Sequence, residues 1–155
     1  MHIELQQAMQ HLVAEQSLNL KEVSRFTPVD FRLGIQWLVA QDQPDLAQAL
    51  AEAGLALYPF SEDILAISGL LAITREDWPL AVEILEDLVS VQNDRVQPMT
   101  YQMLARALAC NLDVAEAHQV LETALQKWPN DVTLIQERNA MAAVQDAMPA
   151  PKLTN

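Results

Sequence analysis

The residues able to hold a metal or attack a carbonyl are few and scattered. His2, His11 and His118 lie far apart, and none stands at metal-ligand spacing from another histidine. His118 has Glu116 and Glu122 as neighbours, but such a trio on a solvated helix face is ordinary surface. Cys110 is the single cysteine, so the chain alone can form neither an internal disulfide nor a cysteine-based zinc cluster. A lone free thiol of this kind is expected to be buried and inert. Neither a glycine-rich phosphate loop nor a nucleophile elbow nor a paired-histidine helix is present. Glu83, Glu86 and Asp87 make a charged face that belongs in solvent. The chemistry-bearing residues therefore point away from an enzyme, and no cofactor or metal is expected.

Charge narrows the ligands further. Twenty-one acidic residues against nine basic ones give a formal charge of −12, which repels phosphate backbones and anionic membranes and disfavours nucleic acid. The same charge keeps a protein with exposed apolar surface dispersed. Met1-His2-Ile3-Glu4-Leu5 is not a basic start followed by an apolar run, and no apolar stretch approaches the roughly 18 residues needed to cross a bilayer, so a cytoplasmic location without membrane insertion is expected. At 155 residues, one domain with a real core is expected. Apolar residues make up 51% of the chain, aromatics only 5%, and there are three glycines, a mixture that favours helices; no alternating run bounded by Asn-Gly or Asp-Gly suggests a hairpin of strands.

The elements repeat. Asp42, Asp77 and Asp113 stand 35 and 36 residues apart, and the same steps carry Gly34 to Gly69 to Ala105 and Leu50 to Leu85 to Leu121. A period in this range marks a helical array, whose units are too small to bury their own apolar faces and must stack on neighbours. Leu5, Ala8, Met9, Leu12 and Val13 predict an amphipathic helix over 3–16, and a short helical piece follows around Leu20-Lys21-Glu22-Val23. Helix pairs are then predicted over 28–40 and 44–57, 62–74 and 79–91, 98–110 and 114–127, with a closing helix over 131–146. Thr27-Pro28-Val29-Asp30 opens the array with a cap, a first-turn proline and an acid at the positive end of the dipole. Asp42-Gln43-Pro44 and Asp77-Trp78-Pro79 each place a capping carboxylate two residues before a helix-starting proline, and Asn111-Leu112-Asp113 does the same work without proline. The tail from Met148 to Asn155 has prolines and no periodic face, and disorder is expected there.

Within 98–130, Tyr101, Leu104, Ala105 and Leu108 lie on the first helix, Ala117, Leu121, Ala124 and Leu125 on the second, and Trp128-Pro129 closes the unit. This pattern resembles a tetratricopeptide repeat (TPR), whose small residues let two antiparallel helices approach while larger ones fill the gap to the next pair. The stretch 62–97 offers Leu65, Gly69, Ala81, Leu85 and Leu88 but departs at Ser68, Leu88 and Asn93. The stretch 27–61 offers Leu33, Gly34, Trp37, Leu46, Leu50 and Ala53, with Asp30 at the first bulky position, Leu46 where a small residue is usual, and Pro59 one place late. The resemblance implies an all-α fold: three TPR-like hairpins in a right-handed superhelical array, with an N-terminal helical extension over 1–26, a capping helix over 131–147 and a tail over 148–155.

In that family the first helices line a concave groove that binds other proteins. Carrying its positions across gives Phe31, Arg32, Ile35, Leu38 and Val39 from the first repeat. The second contributes Asp63, Ala66, Ile67, Leu70, Ile73 and Thr74, and the third Met99, Gln102, Met103, Arg106, Ala109 and, at its end, Cys110. The wall is mostly apolar, and burying each Leu, Ile or Met under a ligand would contribute roughly 1.5–3 kcal/mol. Each such residue could equally be core, and the groove could be filled by the N-terminal helix or serve as a homodimer seam. Relatives that clasp the C-terminal carboxylate of heat-shock chaperones use Lys, Asn and Arg on these helices, whereas here Ile, Leu, Ala and Gln dominate; an apolar client segment is the better match. Size, acidity and architecture resemble the chaperones of bacterial type III secretion translocators, and Asp77-Trp78-Pro79-Leu80-Ala81 with Leu85 and Leu88 resembles short helical proteins of that apparatus. A chaperone is thus the first expectation, and a scaffold or adaptor subunit of a larger assembly the second.

Overall fold

A computed structural model describes residues 7–11 and 23–147; the readings for the rest of 3–16, for Leu20-Lys21-Glu22 and for the tail from Met148 lie outside them. The described residues are helical, with no strand among them. In chain order come α1 (Pro28–Ala40), α2 (Pro44–Leu57), α3 (Glu62–Thr74), α4 (Trp78–Gln92), a 3₁₀ turn (Asn93–Arg95), α5 (Pro98–Cys110), α6 (Val114–Lys127) and α7 (Val132–Ala147). No helix of the described residues is long and apolar enough to cross a membrane.

Local chemistry sets the starts. Thr27 and Asp30 close a capping box: Asp30 N–H donates to Thr27 Oγ1 at 3.3 Å, while Thr27 N–H donates to Asp30 Oδ2 at 2.8 Å. Ser61 Oγ accepts from Ile64 N–H at 3.4 Å, Asp77 Oδ1 from Leu80 N–H at 3.4 Å, and Asp131 Oδ1 from Leu134 N–H at 3.0 Å. Pro28, Pro44 and Pro98 begin their helices, where a missing N–H costs nothing.

The turns inside the hairpins correct the repeat register. Each closes with a bond from the second residue beyond the left-handed turn's start back into the helix: Gln43 N–H to Leu38 O, Asp77 N–H to Ala72 O and Asp113 N–H to Leu108 O, all at 2.9 Å. The residue before each donor is left-handed, with φ of 56° at Asp42, 58° at Glu76 and 69° at Leu112. Asp42 is therefore the counterpart of Glu76 and Leu112 and not a cap; the N-cap of α2 is Gln43, which makes no side-chain capping bond. Asp113 is an N-cap whose carboxylate accepts from Asn111 Nδ2 at 3.0 Å instead of capping the helix. Pro28, Glu62, Pro98 and Val132 begin the first helix of successive units, 34, 36 and 34 residues apart. The extra residues in the middle step are taken up by the longer α4 and the 3₁₀ turn.

In this register the buried positions align. Phe31, Leu65 and Tyr101 occupy the bulky place; Ile35, Gly69 and Ala105 the next inward place; Leu38, Ala72 and Leu108 the one after; and all nine are buried. Ala47, Ala81 and Ala117 are the small residues of the second helices, and Pro59 falls level with Pro129, not late. Asp30, read from the sequence as the first bulky residue, is instead the buried acid of the capping box.

Backbone contacts group the chain into two compact units, Met1–Asp94 and Arg95–Asn155. In the first, α1 packs on α2, α3 on α4, and α1 and α2 both pack on α3. Phe31 is sandwiched edge-on between Phe26 and Tyr58, with ring centroids 6.3 and 6.1 Å away, and Tyr58 OH donates to Phe26 O at 2.7 Å. Met9, on the helical stretch 7–11, enters the same core against Gly34, where an added Cβ would strike Met9 Sδ and come within 2.9 Å of Leu50 Cδ2. In the second unit α5 packs on α6, and α7 on both; Tyr101 stands 6.1 Å from Trp128.

Candidate functional site

A helix packed on two sides keeps one face free, and in the first unit the free faces of α1 and α3 border a hollow of about 210 Å³. Gln36 and Val39 of α1 face Ile67, Leu70 and Thr74 of α3 across it, spaced by three or four residues as one helix face requires. Val39 is 46% exposed and Leu70 48%, so two large aliphatic side chains meet solvent at a concave place. An adjoining hollow of about 500 Å³ runs from Val39 and Thr74 to the hairpin turns, where Asp42, Pro44, Asp45 and Arg75 line it. Arg75 Nη2 lies 3.0 Å from Asp45 Oδ1.

The groove residues read from the sequence divide. Phe31 and Leu38 are wholly inside the core, and Ile35 lies beneath the hollow as its floor with no exposed surface. The one-residue slip in register explains this: the first-repeat set took positions whose counterparts, Leu65, Gly69 and Leu108 among them, are core. Arg32 is half-buried, with Nε 3.5 Å from Asp63 Oδ1, an ion pair outside hydrogen-bond geometry. Val39, Ile67 and Leu70 line the hollow, while Ile73 is half-buried away from it. Gln36 was missed; counting from helix starts in place of aspartates would have put it level with Leu70 and Arg106.

The second unit has its own hollow, about 320 Å³, between α5 and α7. Ala109 and Cys110 face Ala140, Met141 and Val144 there, and Leu112 and Val114 close one end. Arg106 donates to Glu137 through Nη2 at 2.8 Å and Nε at 3.3 Å, and Gln102 Nε2 donates to the same carboxylate at 3.3 Å. These bonds and the adjacent negative charge raise the Arg106 pKa above its ordinary value and hold the guanidinium on Glu137. Met99 is 68% exposed and Met103 half-buried, and neither lines this hollow. Cys110 is exposed, contrary to the buried thiol expected: as the last residue of α5 it holds the place of Thr74 on α3, on the free face. The α7 contribution had a signal, since Val132 follows Pro98 by the same 34 residues that separate Glu62 from Pro28. Among the described residues no three His, Cys, Asp or Glu side chains converge as a metal site.

No protein-family model matches this chain. A search of curated proteins likewise finds no match. Among solved structures, the first TPR domain of Spaghetti (RPAP3), solved bound to the HSP90 peptide SRMEEVD, is similar in fold, with a TM-score of 0.66 over 77% of this chain and 94% of that one at 14% identity. The chain thus has an all-α fold of helix hairpins like that of a tetratricopeptide-repeat domain.

Proposed function

We propose that this chain is a non-enzymatic module that binds another polypeptide by covering an apolar segment of it, acting as a small acidic cytoplasmic chaperone. The observation that carries this reading is the α1–α3 hollow, where Val39 and Leu70 stand half in solvent above an aliphatic floor. A client side chain seated there removes its own surface and theirs from water, while the acidic exterior keeps the pair dispersed. Occupancy of a similar fold by a peptide in the RPAP3 structure supports polypeptide binding, but that peptide is acidic. Here α1 and α5 carry one cation each, Arg32 and Arg106, and Arg106 is held by two hydrogen bonds to Glu137, which favours apolar recognition over a carboxylate clamp. A place in type III secretion is supported by the sequence resemblance alone.

Selection of a random displayed peptide library on the full chain tests the reading. Apolar motifs should be enriched, and they should fail to bind the Leu70→Asp variant at unchanged helix content. Selected peptides that bind both chains equally would refute it. Phe60, 78% exposed in the α2–α3 turn and away from the hollow, favours the alternative of a scaffold subunit with several contact faces. Purification from the native cell separates the two: a chaperone yields a pair that dissociates when the client is used, and a scaffold stays at fixed stoichiometry.

A further inference from the structure

We infer that the segment held by the first unit carries a basic residue beside its apolar anchors, the cation lying at the hairpin-turn end of the hollow. This rests on the reading of that hollow as the binding site and adds the chemistry of its occupant. Four facts converge on one end. The apolar hollow continues from Val39 and Thr74 into the space lined by Asp42 and Asp45. Both are exposed, and the α3–α4 turn that follows Arg75 adds Glu76 and Asp77. The last turn of α1 holds no basic residue, so that helix brings no cation to offset these carboxylates. Among the described residues the one cation lining this space, Arg75, is paired with Asp45, and a pair whose carboxylate is so exposed adds little and leaves Asp45 accessible. An apolar floor leading to a carboxylate rim suits an apolar residue followed by Lys or Arg. A second copy of this chain, at −12, meets that rim with like charge and is disfavoured as the occupant.

The test uses the full chain and two fluorescent peptides that share the core Leu-Ala-Ile-Leu-Ala and carry either Lys-Lys or Glu-Glu, each pair attached at the N-terminal or the C-terminal end. At 50 mM salt the better Lys-Lys peptide should bind at least about fivefold more tightly than its Glu-Glu counterpart by anisotropy, and the ratio should shrink at 300 mM as screening shortens the reach of the rim. Asp42→Asn removes one carboxylate and suits the left-handed backbone there, so it should cut the ratio roughly twofold to threefold without loss of fold. Asp87→Asn, on the exposed face of α4, should leave it unchanged. Equal binding of both peptides, lost in Leu70→Asp, would overturn the basic occupant while sparing the apolar site. An equal response to Asp42→Asn and Asp87→Asn would likewise overturn it, assigning the preference to overall charge. Binding of neither peptide, or a dimer that Leu70→Asp dissociates, would overturn the site reading with it.

Discussion

Leu65 and Leu70 lie on the same helix and differ only in which way they point, so replacing each by alanine separates binding from folding. Leu70 is 48% exposed over the hollow, and Leu65 is 1% exposed in the core. Full burial of a leucine side chain is worth roughly 1.5–3 kcal/mol, and about half of that surface at Leu70 remains for a ligand to cover. Leu70→Ala should therefore cost about 0.7–1.5 kcal/mol of binding, a threefold to tenfold rise in Kd. Alanine is as good a helix former as leucine, so the fold should be undisturbed. Leu65→Ala removes buried methyl groups and leaves a cavity, which costs about 2–5 kcal/mol of stability and lowers Tm by roughly 4–20 °C in a chain of this size. Peptide anisotropy against a selected apolar peptide and thermal unfolding by circular dichroism read the two effects. A Leu70→Ala chain that melts as early as Leu65→Ala, or binds as tightly as the parent, would refute the assignment of faces.

Three more outcomes follow from the same geometry. Phe31→Ala should destabilise by about 3–5 kcal/mol in denaturant titration, because the ring is enclosed by Phe26 and Tyr58; a loss of peptide binding at unchanged stability would return Phe31 to the groove. Glu76→Gly should raise stability by about 1 kcal/mol, since its left-handed φ of 58° is strained for a residue with a Cβ; no gain in Tm would contradict the turn geometry. Cys110 should react fully with a thiol reagent such as dithionitrobenzoate under native conditions, and protection until unfolding would contradict its exposure.

The helices were legible because apolar spacing and punctuation agree: five of the seven predicted spans match α1, α2, α3, α5 and α6 to the residue, and the other two lie within one residue of α4 and α7. The register between the first two repeats was not. Asp42 and Asp77 look alike in sequence but do different work, one a left-handed turn residue and the other an N-cap, and aligning them slid the first repeat by one place. On a helix one residue is about 100°, enough to turn Phe31 and Leu38 from the core to the groove and to hide Gln36. In the second and third repeats, where the spacing of 36 is right, Ile67, Leu70 and Arg106 line the hollows while Ile73, Met99 and Met103 do not. The half-exposed state of Val39 and the pairing of Arg106 with Glu137, 31 residues away, depend on packing between helices and left no local trace.

The central claim, that the α1–α3 hollow receives an apolar segment, is tested most directly by titrating a selected apolar peptide into the isotopically labelled chain and following backbone and methyl resonances. Shifts should concentrate at Val39, Ile67, Leu70 and Thr74 and spare Glu83, Glu86 and Asp87 on α4. Binding that perturbs the α4 face and leaves the hollow unmoved would contradict it.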